Sequence, residues 1–276
     1  MPLSINTNIA SLTAQRSFLN SNSALETAFE RLSTGKRINS ASDDAAGLAI
    51  ATDLNSRVSG LNQAVRNVND GISMVQIMEG TYDEVTSILQ RMRDMAVQAA
   101  NGSLTSTEQG YLETEQTALQ TALGEALNQA TFGSTNLYVG SSASIVAISI
   151  QAGANTGDAV SINLTSAGVA NASGLGITAI DLSSAASAAI GLVDTALTSV
   201  ATQRAQLGAY QAQLESTVRN LSNVAENTAA AAGRIMDTDY AAETANLTKA
   251  QILQQAATSV LAQANAQPQA VLSLLQ

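Results

Sequence analysis

The longest regular pattern in the sequence runs from residue 54 to residue 96, where an apolar side chain recurs at every third or fourth position. Alternating steps of three and four place one narrow stripe along one side of a helix, which is typical of a coiled-coil seam. Two successive steps of three, from Ile72 through Val75 to Met78, predict a local overwinding just before Gly80. The predicted seam comprises Leu54, Val58, Leu61, Val65, Val68, Ile72, Val75, Met78, Tyr82, Val85, Leu89, Met92 and Ala96.

A second long stripe occupies the last third of the chain, from a start near Ser183 to about Gly233. Its steps again alternate between three and four, which predicts a second long helix. Two seam positions hold polar residues, Arg204 and Gln211. These side chains either lie at the edge of the seam or fix the register of the pairing, as polar seam residues do in coiled coils.

Between the two long helices the pattern predicts a short helix followed by a hairpin. Thr105 and Glu108 have the spacing of a capping box, so a helix is expected to begin there. Further on, apolar residues alternate at a period of two on both sides of the turn-forming residues 155–158, which predicts a β-hairpin near 137–164. Residues 165–178, rich in Ser, Ala, Gly and Asn, are predicted to form a loop at the tip.

Both ends of the chain carry much thinner apolar stripes. Near the amino terminus the apolar residues are separated mainly by Asn, Ser, Thr and Ala. Isolated helices with so few apolar contacts are marginal in water, so we expect both terminal segments to be disordered in the free monomer and to fold when neighbouring copies cover them. The candidate self-assembly residues are Ile5, Ile9, Leu12, Leu25, Leu32, Leu253, Val260, Leu272 and Leu275.

The predicted elements follow the order weak helix, strong helix, short helix, β region, strong helix and weak helix. A chain that folds back on itself in this order pairs its two long helices and brings its two terminal helices together. The predicted fold is therefore mainly α. It is an elongated antiparallel long-helix bundle or coiled coil with a small β-hairpin region at the tip and with the N- and C-terminal helices paired.

Composition narrows the function classes. Hydrophobic residues make up 45% of the chain but aromatic residues only 3%, which suits thin helix-to-helix seams better than a thick globular core. The net charge of −10 argues against binding to nucleic acid. The first six residues lack a cationic start and an apolar run, so no Sec-type signal peptide is predicted. No apolar stretch approaches the length that spans a bilayer, so no membrane partner is predicted.

The chain has no Cys and no His, which removes thiol nucleophiles, imidazole bases and most zinc sites. Asp43 and Asp44 are adjacent carboxylates at the predicted start of the first long helix, where acidic side chains complement the positive end of the helix dipole. A metal-binding or acid–base pair is the alternative, but no third ligand is nearby. We therefore expect no catalytic, cofactor-binding or metal site.

Several ordered blocks at both ends of the chain resemble those of bacterial flagellin, over nearly the whole length. Among them are Asn-Asp-Gly-Ile-Ser at 69–73, Leu-Gln-Arg-Met-Arg-Asp-Met-Ala-Val-Gln at 89–98 and Arg-Ile-Met-Asp-Thr-Asp-Tyr at 234–240. So many blocks in a fixed order are far more specific than any single short motif. The other blocks are residues 5–8, 31–41, 43–47, 249–253 and 271–275.

The resemblance implies a secreted subunit that polymerises with itself into the filament of the bacterial flagellum, outside the cell. Residues 1–42 and 233–276 would form an inner domain of terminal helices and connectors, the filament core, and residues 43–232 an outer helical rod. Export would proceed unfolded through the flagellar type III apparatus. An export chaperone would hold the C-terminal segment, and hook-associated and cap proteins would be further partners.

The block at 89–98 also resembles the surface that the flagellin-sensing Toll-like receptor of animals reads. In the resemblance Arg91 matches the contact arginine of the family and Glu115 its contact glutamate. Met95 stands where leucine is usual, and Met fills a pocket of similar size. The predicted receptor-like surface is thus Arg91, Met95 and Glu115.

Other protein classes remain as alternatives. The nearest is a hook–filament junction protein of the same superfamily, which shares the terminal helices but caps a filament rather than propagating it. A secreted enzyme or cell-wall-binding factor is disfavoured by the missing His, Cys and carboxylate cluster. A trimeric coiled-coil adhesin would show an anchor or stalk repeats, and neither is found.

Overall fold

The computed structural model describes residues 7–138, 148–162, 175–183 and 185–273, with the backbone alone for residue 179 and for 267–273. The mainly α fold with a small β region is confirmed. The helices are α1 (Ile9–Thr34), α2 (Ala45–Ala99), α3 (Ser106–Gln129), α4 (Ala186–Met236) and α5 (Tyr240–Ser273), with a 3-10 turn at Ile177–Ala179. The strands are β1 (Thr131–Phe132), β2 (Thr135–Asn136), β3 (Ile148–Gln151) and β4 (Ala159–Ile162).

The chain divides into two compact units. Unit 1 consists of Met1–Ser56 with Asn227–Gln276, and unit 2 of Arg57–Glu226. Unit 1 therefore extends further along α2 and α4 than the ranges 1–42 and 233–276. The reason is local packing, because the connector residue Ile38 is buried against Gly47 in the first turn of α2.

In unit 2 the buried seam of α2 is more regular than the sequence pattern indicated. Ala64 and Gly71 occupy seam positions, whereas Val65 and Ile72 are only half-buried. The steps then alternate between three and four without interruption, so the predicted overwinding before Gly80 is wrong. The seam consists of Leu61, Ala64, Val68, Gly71, Val75, Met78, Tyr82, Val85, Leu89, Met92, Ala96 and Ala99.

Gly71, the smallest residue of the α2 seam, lies where the β3–β4 hairpin packs. β3 and β4 are antiparallel, with Ile148 opposite Ile162 and Ile150 opposite Val160, as the alternating pattern predicts. A Cβ atom on Gly71 would overlap Ile150 Cδ1, so the buried Ile150 side chain occupies the space that this glycine leaves open. The sequence pattern missed Gly71 because it counted large apolar residues alone.

The polar seam position of α4 is Gln203 and not Arg204. Gln203 is almost fully buried, while Arg204 lies at the edge of the seam. Its Nη2 lies 2.7 Å from Glu79 Oε1 and its Nη1 lies 3.3 Å from Asp83 Oδ1. The edge alternative for Arg204 is therefore correct, and the arginine joins α4 to α2 by exposed ion pairs of modest strength.

Hydrogen bonds made by Tyr138 and by Leu182 attach the chain to helices of unit 2 just before residue 139 and just after residue 181. Tyr138 follows β2, and its Oη donates to the carbonyl oxygen of Met78 at 3.0 Å. Its ring packs edge-on against Tyr82, and burial raises the pKa of Tyr82 to about 12. On the return, Glu113 Oε2 accepts from the backbone N–H of Leu182 at 2.6 Å.

Two predictions for the middle segment differ in detail from the structure. The predicted hairpin region was to begin near residue 137, but β2 ends at Asn136, and Leu137 and Tyr138 are buried outside any strand. Val139 lies outside the described residues, as do residues 165–174 of the predicted tip loop. Ile177, at the end of that predicted loop, begins the 3-10 turn.

The predicted helix ends are formed by local hydrogen bonds. Thr105 and Glu108 make the reciprocal bonds of a capping box at the start of α3. Gly35 ends α1 in the left-handed conformation, with φ of 71°. Asp44 Oδ1 accepts from the N–H of Gly47 at 2.9 Å, which caps α2. Hydrogen bonds from the backbone of Ser40 and Asn39 lower the pKa of Asp43, so this carboxylate orders the turn before α2.

Gly80 and Gly71 provide a matched pair of stability predictions. Replacing Gly80 with Ala is expected to raise the free energy of unfolding of unit 2 by about 0.5–1 kcal/mol, since Gly costs that much in a helix. A Cβ there meets nothing within 4 Å among the described atoms. Gly71→Ala is expected to lower the same free energy because its Cβ overlaps Ile150. Urea unfolding followed by circular dichroism measures both, and shifts of the same sign would contradict the packing described here.

Candidate assembly surface

The helices α1 and α5 of unit 1 pair antiparallel, and polar contacts set their register. Ser11 Oγ donates to Asn265 Oδ1 at 2.8 Å near one end of the pair. Gln254 Nε2 donates to Asn22 Oδ1 at 3.2 Å near its middle. At the other end Arg31 Nη1 lies 3.9 Å from Glu243 Oε2. These contacts give direction and register but little apolar stabilisation.

The seam between α1 and α5 is made mainly of small residues. On α1 the buried residues are Ser11, Ala14 and Ala28. On α5 the buried apolar residues are Ala250, Ala257 and Ala264, which repeat every seven positions. Leu253 and Val260, two of the candidate self-assembly residues, are exposed outside this seam.

Several large apolar side chains of these two helices are exposed in the single chain, and none of the fully buried apolar residues is large. Leu19 is 66% exposed and Val260 is 54% exposed. A buried core does not normally leave its large residues outside and enclose its alanines. Apart from Tyr240, whose ring carries a polar hydroxyl, the exposed set on the two helices is Ile9, Leu12, Leu19, Phe29, Ile252, Leu253 and Val260.

The structure locates most of the candidate self-assembly residues. Ile9, Leu12, Leu253 and Val260 belong to the exposed set. Leu19, Phe29 and Ile252 join it although the sequence did not select them, because they lie off the stripes that were counted. Leu25 and Leu32 are half-buried on α1. Ile5 and Leu275 lie outside the described residues, and Leu272 lies in α5 with its side chain outside the description.

The connectors that join the terminal helices to the long helices are paired with each other. Lys36 and Asp237 form an antiparallel bridge, and the N–H of Arg37 donates to the carbonyl oxygen of Met236 at 2.6 Å. The Arg37 Nη2 atom also donates to the carbonyl oxygen of Ile235 at 2.8 Å. The side chain of Arg37 thus satisfies a carbonyl at the end of α4, as basic residues do at helix C-termini.

The predicted receptor-like surface is only partly at the surface. Arg91 Nη2 lies 2.7 Å from Glu115 Oε1, and both side chains are exposed by more than two fifths. This hydrogen bond raises the pKa of Arg91. Met95 is instead 1% exposed, in the buried cluster of unit 2. Met95 was predicted to lie at the receptor-like surface, but at this level of α2 both Met95 and its neighbour Ala96 are buried.

The described residues contain neither a candidate metal site nor a candidate membrane-spanning helix. No group of three or more His, Cys, Asp or Glu residues there is arranged to hold a metal ion. Within the same residues, none of the helices combines the length and apolarity that crossing a bilayer requires.

Comparison with known families decides the assignment. The model of the bacterial flagellin N-terminal helical region matches residues 5–143, and that of the bacterial flagellin C-terminal helical region matches residues 190–275. The chain belongs to the bacterial flagellin family. The resemblance seen in the sequence blocks is therefore confirmed.

Similar proteins extend over the whole chain. The flagellin of Halalkalibacterium halodurans is 41% identical over 275 residues, which cover 99% of each chain. Flagellin A of Vibrio anguillarum is 35% identical across the full length of both chains, in an alignment of 382 positions. A crystal structure of Bacillus cereus flagellin superposes with a TM-score of 0.50 at 26% identity and covers 60% of this chain and 94% of that chain.

Membership in the flagellin family fixes the general role. The chain is a structural subunit of the bacterial flagellar filament, not an enzyme. Such a subunit polymerises with copies of itself, so the exposed apolar set of α1 and α5 belongs to a molecule that functions among neighbours.

Proposed function

We propose that copies of this flagellin-family chain assemble through α1 and α5, with unit 1 forming the inner layer of the filament and unit 2 the outer layer. The observation that carries the proposal is the inverted packing of unit 1. The fully buried apolar residues of the intramolecular seam are alanines, the larger Phe18, Leu25 and Leu32 are only half-buried, and the seven residues of the exposed set face outward. Burial of those side chains between copies supplies the free energy that a single chain lacks.

The same packing supports export in an unfolded state through the flagellar type III apparatus. The α1–α5 pair stabilises itself weakly, and the chain has no Cys to form disulfide cross-links. We propose that an export chaperone covers the C-terminal segment before export. The exposed Ile252, Leu253 and Val260 of α5 give such a chaperone an apolar stripe to hold.

Hook-associated and cap proteins are the proposed partners at the two ends of the polymer. Helical growth requires contacts between unlike faces, so a growing filament always leaves one face open at each end. A hook-associated protein at one end and a cap protein at the other would cover these faces.

The proposed receptor-like surface consists of Arg91 and Glu115, with Met95 supporting them from the core. The two charged side chains are exposed and already paired, so they present a fixed hydrogen-bonding arrangement. Binding of the flagellin-sensing Toll-like receptor at this surface would engage unit 2 of the monomer.

The assembly proposal is tested with the double variant Leu253→Ser, Val260→Ser. Each lost apolar contact is worth about 1.5 kcal/mol, so the critical concentration for polymerisation is expected to rise by about a hundredfold. Electron microscopy and sedimentation of the purified chain measure it. Val224→Ser, an exposed position on α4 in unit 2, is the control and should assemble as the unaltered chain does.

The two family alternatives give different results in this experiment. A filament subunit forms long filaments from the unaltered chain. A hook–filament junction protein forms none under any condition tested, and that result would replace the proposal. Unchanged assembly of the double variant would show that α5 is not an assembly surface.

A further inference from the structure

Unit 1 contains a groove along one side of the α1–α5 pair, with a volume of about 470 Å³. The α1 wall is low because its residues are small or polar, among them Ala24 and Thr27. The α5 wall carries Lys249 and Leu253. Val260 follows Leu253 by seven positions, so it continues the same stripe beyond the groove.

The groove is basic at one end. Lys249 is exposed at its rim, and Arg31 projects from the opposite wall. The Arg31 Nε atom is buried without a hydrogen-bond partner among the described residues, and the nearest carboxylate pairing, to Glu243, is long at 3.9 Å. The Arg31 side chain is 29% exposed, so its outer N–H groups are open to an additional carboxylate at this end of the groove.

The outward face of α1 has the complementary pattern. Leu12 and Leu19 are more than half exposed, and Glu26 and Glu30 are exposed on the same side. Leu12, Leu19 and Glu26 repeat every seven residues, which places them in one line along the helix. From its N-terminal end, this line thus carries two apolar residues, Leu12 and Leu19, followed by the acidic Glu26.

The stripe on α5 reads in the opposite order: basic at Lys249, then apolar at Leu253 and Val260. The apolar residues are seven positions apart in both lines, Leu12 to Leu19 on α1 and Leu253 to Val260 on α5. If the two helices run antiparallel, the apolar residues of one line lie opposite those of the other, and the acidic end of α1 lies near the basic end of α5. A helix lying antiparallel to α5 runs parallel to α1, so the match joins two copies in the same orientation.

We infer that this groove receives helix α1 of a second copy of the chain. Leu12 and Leu19 of the second copy lie against Val260 and Leu253, and Glu26 and Glu30 of that copy lie near Lys249 and Arg31. The groove and the outward face of α1 are different surfaces, so the contact is heterologous and propagates instead of closing. The inference rests on the proposed assembly through α1 and α5, and it names the two surfaces that meet.

Charge reversal on each surface tests the inference in the full-length chain. The groove variant is Lys249→Glu, and the face variant combines Glu26→Lys with Glu30→Lys. Each variant alone juxtaposes like charges between copies, so its critical concentration is expected to rise by about tenfold or more. An equimolar mixture restores assembly, because each groove then meets a face of opposite charge. Lys249→Arg is the matched control and assembles as the unaltered chain does.

The possible outcomes separate this inference from the assembly proposal. Recovery in the mixture, with both components present in the same filaments, supports the pairing. If each variant alone assembles normally, or if the mixture fails as its components do, the pairing is overturned while assembly of the unaltered chain still stands. If the unaltered chain forms no filaments, both proposals fall. The substitutions lie in unit 1, so recovery of assembly in the mixture also shows that they do not act through misfolding of that unit.

Discussion

In the isolated monomer, the backbone amides of α1 and α5 are expected to exchange with solvent far faster than those of α2 and α4. The seam that joins the terminal helices consists mainly of alanine and serine, which bury little apolar area. Helices of 26 and 34 residues with such a seam approach the marginal stability of isolated helices. Their opening free energies should be about 0–2 kcal/mol, while α2 opens only with unit 2 as a whole.

Hydrogen exchange with mass spectrometry on monomer and polymer measures this difference. In deuterated buffer, the amide protons of peptides from 9–34 and 240–266 should exchange within seconds in the monomer and much more slowly in the polymer. Peptides from 75–99 serve as the internal control, since Val85, Leu89 and Met92 are fully buried in unit 2 and should be protected in both states. Slow exchange of α1 and α5 in dilute monomer would show that the terminal pair is stable alone, and assembly would need another driving force.

The long helices could be predicted from sequence because their seam residues differ strongly from the residues between them. Periods of three and four in large apolar residues located α2 and α4, and the capping box at Thr105 located the start of α3. The β3–β4 register follows from strict alternation around its turn. Where the same periodicity recurs over many residues, an error at a single position has little effect on the prediction of the helix or strand.

Alanine and glycine positions could not be predicted in the same way. The sequence selected Leu253 and Val260 of α5 as self-assembly residues because of their apolar area, whereas the intramolecular seam of this helix runs through Ala250, Ala257 and Ala264. Gly71 in the α2 seam likewise carries no apolar side chain for a pattern to detect. Small residues in a helix seam therefore give a weaker sequence signal than large apolar residues do.

Buried polar residues were the other feature that sequence reasoning missed. Gln116 of α3 was not singled out from the sequence, but it is fully buried at 0% exposure. Glutamine is common on helix surfaces, so one glutamine between apolar positions carries no distinguishing signal. Only the packing of the folded unit shows that this side chain is enclosed.

Replacing Gln116 with Met is expected to stabilise unit 2 by about 1–3 kcal/mol, because it removes a buried amide that has no partner. Neither Nε2 nor Oε1 of Gln116 meets a hydrogen-bond partner among the described residues. Methionine has nearly the same length and volume, so it fills the space without overpacking. The melting temperature of unit 2 should rise by several degrees, at about 2–4 °C per kcal/mol for a domain of this size.

The matched control is Gln109→Met, at the position one heptad earlier on the same helix. Gln109 is half-buried, and its Nε2 donates to the carbonyl oxygen of Ala99 at 3.2 Å. Its replacement leaves that carbonyl without its donor and should lower the free energy of unfolding by about 1 kcal/mol. Thermal and urea unfolding of both variants gives the two signs in one experiment. A destabilised Gln116→Met variant would mean that a buried water satisfies the amide, and that Gln116 contributes to the stability of unit 2.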